Sequence, residues 1–228
     1  MAIWKAHEFQ NQVLSTYGQD RLNEALPIMQ AIGSKFMIVK LHFSEVEEAF
    51  DGMLEEAGPE ITDILGLLFS NGERRQSFGI ARLKYEANLV AAAQATHSIS
   101  DNLAHLIYTT FHIPHDENYR PKLQQLNKDI CEGQLKGSIE RLLGMREYRY
   151  LQDFANYNKH MSLVSSAYHI STPSDFDLKH GVRFKAFKAH VEKWGDEFLH
   201  ELKAIHTAQI GIGICINESI GQMVRVGS

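Results

Sequence analysis

Hydrophobic residues along this chain recur mostly at threes and fours, the spacing of helices with one buried face. The most regular run comes last. Trp194, Phe198, Leu202, Ile205, Ile212, Ile216 and Ile220 step by threes, fours and one seven, which predicts a helix over about 190–224. Gly211, Gly213 and Gly221 interrupt it, each costing up to about 1 kcal/mol relative to alanine; they are expected to serve close helix contact or to mark a bend. A second long helix is predicted over 79–111, ended by Ile113-Pro114. Ile99, Leu103, Leu106 and Ile107 give it a core stripe, and Ala91, Ala95, Ser98 and Asn102 a narrow stripe of small side chains that admits a close helix neighbour. Shorter helices are predicted over 3–16, over 20–32 with Pro27 interrupting or starting it, from a Ser44/Glu47 capping box to about residue 57, and from Pro59 through PEITDILGLLF. Asn71-Gly72 reads as a turn and 112–120 as a loop. Further helices follow over 121–130, 134–143 and 146–164, with Gly144 either separating the last two or lying within one continuous helix.

Period-two character appears in three places. KFMIVKLHF (35–43) is rich in β-branched and aromatic residues and reads as a strand. SSAYHIS and VRFKAF read as two more, joined by the turn-rich TPSDFDLKHG. The expected fold is mainly α, a bundle of long helices with a small antiparallel β-sheet insertion. It forms a single domain over 1–228, with N-terminal helices plus one strand over 1–78 and the main bundle, carrying a β-hairpin near 163–188, over 79–228.

Composition narrows the function classes. The chain has 228 residues, 44% hydrophobic and 22% charged, as in ordinary globular proteins. Its formal net charge of -5 supplies no global basic field for nucleic acid, so any polyanion site must be a local patch. Cys131 and Cys215 form neither a disulfide framework nor a metal spacing. The start lacks the apolar core of a signal peptide, and the longest apolar run, IGIGICI, is too short to span a bilayer. A cytoplasmic protein with no membrane association and no cofactor is expected. Dinucleotide fingerprint, P-loop, nucleophile elbow and HExxH are all absent.

Chemistry gathers in REYRYLQDFANYNKHMSLV. Asn156 and His160 stand four apart and share a helix face, with Asn158 and Lys159 beside them and Leu151, Phe154 and Met161 on another face. An imidazole can take and return a proton, an amide can position a phosphate or hydroxyl oxygen, and a lysine can offset charge developing on phosphate. That set suits metal-independent phosphodiester cleavage. It equally suits a helix C-terminus whose Lys and His favour the dipole. His97, Asp101 and His105 form a polar ridge on the long helix. They read as a solvated face or as a metal-binding trio completed by His112 or His160. Lys179, Arg183, Lys185, Lys188 and Lys193, opposed only by Glu192, suit an RNA backbone or the protection of an edge strand. Tyr148, Tyr150 and Tyr157 suit base stacking or core packing.

FANYNKHMSLV, paired with the upstream ATHSISDNLAHLIY, resembles the HEPN superfamily, compact helical bundles of bacterial defence and toxin systems. Many members are metal-independent RNases that act as dimers. Their motif is an arginine, a polar residue, three variable residues and a histidine. Asn156 to His160 matches the part from the polar residue to the histidine, while the arginine position falls on Ala155. Arg149 lies eleven residues from His160, about 16 Å along a helix, so it does not replace that arginine in cis. The resemblance covers about 79–225. It implies a homodimer engaging RNA or a nucleotide, with His160 as acid/base, Asn156 positioning, Lys159 stabilising charge and Asp101 orienting His160. Asn158, His97, Ser98, Asn102, Arg149, Arg183 and Lys185 would contribute to substrate binding. A non-catalytic interaction or antitoxin-like scaffold and a metal-binding bundle are the alternatives.

Overall fold

A computed structural model describes residues 3–51, 61–69, 71–114, 121–171 and 179–222. Its helices are α1 (Ala6–Tyr17), α2 (Gln19–Glu48), α3 (Ile61–Leu68), α4 (Glu73–Phe111), α5 (Leu123–Asp129), α6 (Gln134–Gly144), α7 (Arg146–His160) and α8 (Gly195–Ser219). Strands β1 (Ser166–Ser171), β2 (Lys179–Phe184) and β3 (Lys193–Trp194) form one antiparallel sheet in that order. The fold is mainly α with a small antiparallel sheet, as expected from the pattern.

The strand expected over 35–43 is instead the interior of α2, a helix of 30 residues that also contains Pro27. Its β-rich composition hides a helical period. Ile32, Val39, Phe43 and Val46 are buried at steps of seven, four and three. A strand would bury Met37, Val39, Leu41 and Phe43 on one face, yet Met37 is 67% and Leu41 58% exposed. The sheet therefore takes its third strand from Lys193–Trp194, which pairs with Arg183 and Phe184. Ser44 does not open a helix either; inside α2 its Oγ donates to Glu48. The expected break at Gly58-Pro59 lies outside the described residues.

Helix ends have local causes. Gly72, at φ +68, makes the turn before α4. His112, at φ +51, ends that helix: its N–H donates to Thr109 O, and Ile113 N–H reaches back to Tyr108 O. This is the Schellman pattern, with histidine where glycine is commoner. Met145 turns extended and separates α6 from α7, so Gly144 stays helical. α7 stops at His160, short of residue 164, and Asn158 Oδ1 then accepts from Val164 N at 2.7 Å.

The chain divides into two compact units, each built from separated stretches: Met1–Ile38, Gln94–Asp153 and Leu202–Ser228 in one, Val39–Ala93 and Phe154–Glu201 in the other. No single cut in the sequence separates them. In the first unit Trp4 packs edge-on to Phe9 and Phe36 and donates to Asn217 Oδ1 at 2.9 Å. Gly213 gives it room, because a Cβ there would stand 2.5 Å from the indole. The seven-residue step in the α8 stripe skips Gln209, which is fully buried and donates to Thr96 O and Ser100 Oγ. In the second unit Phe154 meets Phe184, Phe187 and Phe198 at ring separations of 5.4, 5.9 and 4.8 Å. Phe50, Phe78, Tyr85 and Tyr168 form another aromatic group there. Gly195 seats Tyr85 closely.

Candidate functional site

The end of α7 is set by what lies beneath it. Phe154 and Ala155 are buried, and the Phe154 ring is enclosed by the three phenylalanines named above. With that side fixed, Asn156, Lys159 and His160 come out exposed over the last two turns. Asn158 is half-buried, and its carbonyl oxygen is committed to Val164 N, so it shapes the exit from the helix. Met161 lies one residue past the helix and is 75% exposed, rather than sharing the buried face of Leu151 and Phe154.

The ridge on α4 belongs elsewhere. His97, Ser98, Asp101, Asn102 and also Arg149 fall in the first unit, while Asn156, Asn158, Lys159 and His160 fall in the second. Ser98 Oγ donates to Ala95 O within its own helix. Asp101 is exposed, and its negative charge bears on Lys35 and on the buried Tyr148. Lys35 is lowered by burial, with Asp101 working against that shift. Among the described residues no three His, Cys, Asp or Glu side chains come together in a way that could hold a metal ion.

Of the basic run, three cations pair with acids. Lys179 bonds Glu197 at 2.7 Å, lies 3.9 Å from Asp196, and stands 4.9 Å above the Trp194 ring. Arg183 meets Glu192 at 3.2 Å and stands 5.3 Å from the centre of the same ring. Lys193 pairs with Glu201. Asp196, Glu197 and Glu201 come from the start of α8, whose early acids also suit its dipole. The sequence run, opposed in linear order only by Glu192, is thus largely neutralised in space. Lys185 and Lys188 remain exposed.

Those two lysines flank Phe187. Its backbone N–H donates to His190 O and its carbonyl accepts from His190 N, and Lys188 takes φ +49 in the tight turn between them. The Phe187 ring packs 5.5 Å from Tyr157 on α7. This contact sets the turn bearing Lys185 and Lys188 beside the helix end bearing Asn156, Lys159 and His160. The sequence named the lysines but not the pairing of Tyr157 with Phe187, because nothing in linear order couples positions thirty residues apart. Tyr148 and Tyr150 are buried, at 2% and 4% exposure, and offer no stacking surface.

No family model, curated protein or solved structure matches this chain. Among the described residues no helix is long and apolar enough to cross a membrane.

Proposed function

We propose that this is a HEPN-like helical module that engages single-stranded RNA, or a nucleotide, at the exposed end of α7. The observation that carries the reading is the Tyr157–Phe187 contact. It packs the turn that carries exposed Lys185 and Lys188 against the helix that carries exposed Asn156, Lys159 and His160, all within one compact unit. Such a patch offers cations to phosphates, an amide to sugar or base edges, and an imidazole to either. Arg183 contributes less than the sequence suggests, since Glu192 already holds it.

The patch binds rather than cleaves. The position that a HEPN motif fills with arginine is Ala155, only 6% exposed, so a guanidinium there would have no open site to serve. The test is fluorescence anisotropy with a labelled single-stranded oligoribonucleotide. Lys159→Ala and Lys185→Ala should each weaken binding across sequences and lower the salt slope by about 0.7 per lost phosphate contact. Unchanged affinity and slope in the double variant would refute the reading. Cleavage that survives EDTA and disappears in His160→Ala would convert it to a nuclease.

One observation favours the scaffold alternative. Met161 and Leu163, next to the patch, are 75% and 71% exposed, a surface suited to a protein partner. Met161→Ser and Leu163→Ser would abolish a protein interaction and leave RNA affinity unchanged. Homodimerisation, which the resemblance implies, would use a surface other than the α8 stripe, because Leu202, Ile205, Ile212 and Ile216 are already fully buried.

A further inference from the structure

A cleft of about 610 Å³ opens in the first unit between α2 and the end of α4. Arg21, Glu24 and Ile28 line it from α2, and His105, Tyr108, Thr109, His112, Ile113 and Pro114 line it from α4 and its exit. Its volume falls in the range of small-molecule sites. The residues in it divide into two groups: Ile28, Ile113 and Pro114 are apolar, whereas Arg21, Glu24, His105, Tyr108, Thr109 and His112 carry polar groups.

The polar side has a defined arrangement. The Arg21 side chain is only 20% exposed. Its Nη1 donates to Glu24 at 2.5 Å and its Nη2 donates to His112 Nδ1. A guanidinium has five N–H donors and no acceptor. His112 Nδ1 must therefore present a lone pair in this contact, which puts the ring proton on Nε2 and leaves that N–H to donate. The remaining guanidinium donors meet no acceptor among the described residues. Two neighbouring groups thus carry spare donors in a partly apolar cleft. His112 is held there by strained backbone, at φ +51, in the turn that ends α4. The carbonyls that would make a helix C-terminus repel an anion are blunted, because Thr109 O and Tyr108 O accept from His112 and Ile113.

We infer that this cleft binds a small organic anion, its carboxylate or phosphate oxygens held by Arg21 and His112 Nε2–H and its apolar body set against Ile28, Ile113 and Pro114. Glu24, 57% exposed, is the resident counter-ion that such a ligand displaces from Nη1. The cleft's residues belong to one unit and those of the proposed RNA surface to the other, so either proposal can fail without the other.

Calorimetric titration of the full chain with benzoate, phenyl phosphate, phenol and inorganic phosphate tests this. Benzoate or phenyl phosphate should bind, and which of them binds tighter identifies the head group. Phenol, lacking the charge, and inorganic phosphate, lacking the ring, should each bind about tenfold or more weaker. Arg21→Met should weaken the preferred probe by about tenfold, and Glu24→Gln should tighten it by removing the competitor. No binding of either aromatic anion, equal binding of phenol, or undiminished binding by a folded Arg21→Met protein would each overturn the proposal. If Arg21→Met does not fold, the His112 ring ¹⁵N shifts of the unaltered protein decide: they must move with the preferred anion and stay still with phenol.

Discussion

At Gln209 the cost of burying an amide is set against two hydrogen bonds. The side chain is fully buried, and Nε2 donates to Thr96 O at 2.7 Å and to Ser100 Oγ at 2.9 Å. Its Oε1 has no partner among the described residues. An unmade buried hydrogen bond costs about 1–3 kcal/mol, and a made one contributes about 1 kcal/mol, so the amide is close to neutral on balance. The volume it fills is not. Gln209→Met, which keeps the volume and removes the orphaned oxygen, should shift stability by less than about 1 kcal/mol. Gln209→Ala should cost about 2–4 kcal/mol through the cavity it leaves. Urea unfolding of the two variants checks the order; equal losses would mean that the hydrogen bonds dominate. In the sequence this position was visible only as a gap in the apolar stripe.

Among the elements, α2 separates composition from period. Residues 35–43 carry strand-like residues, yet Val39 and Phe43 are buried while Met37 and Leu41 face out. Leu41→Lys should therefore change stability by no more than about 0.5 kcal/mol. Val39→Lys should cost about 3 kcal/mol or more by burying an unpaired ammonium. A strand would make the two substitutions equally harmful, so chemical denaturation of the pair discriminates sharply. The stripe of α8 was legible because most of its apolar positions repeat without competition over 25 residues. The chain over 35–43 was not, because nine residues are too few for the helical period to outweigh β-branched composition. α7 was legible as a helix, and its polar end was found, but its last turn was overextended. The stop depends on Asn158 bonding Val164 N, a contact formed only after the chain has turned.

For the whole molecule, buried tyrosines set an alkaline limit. Burial pushes Tyr148 up to about 12, with the Asp101 charge adding to the shift while hydrogen bonds with Ser100 and Gln152 oppose it. Burial also raises Tyr168 to about 12. In both cases the folded state holds the phenolic proton more tightly than the unfolded chain, whose tyrosines titrate near 10. This stabilisation is therefore complete below about pH 10 and is lost as pH rises towards about 12. For Tyr148 it amounts to about 3 kcal/mol at most; Tyr168, less covered, contributes less. Urea midpoints should hold steady up to about pH 10 and then fall. Tyr148→Phe should lessen that fall, and an unaltered slope in the variant would show that the limit lies elsewhere.

By itself the sequence determined the mainly α class, the long helices α4 and α8, the β1–β2 hairpin and the cluster of polar residues at the end of α7. These are properties of local spacing, and spacing is all that linear order records. Only the tertiary structure decided which charges meet an acid. It neutralised Lys179, Arg183 and Lys193 with acids from elsewhere in the chain, and it packed the turn bearing Lys185 and Lys188 against α7 through one aromatic contact. It also assigned Asp101 and His160 to different units. The physical reason is common to all three. A pairing between distant residues depends on side chains meeting in space, and no periodicity in the chain encodes which of them will meet.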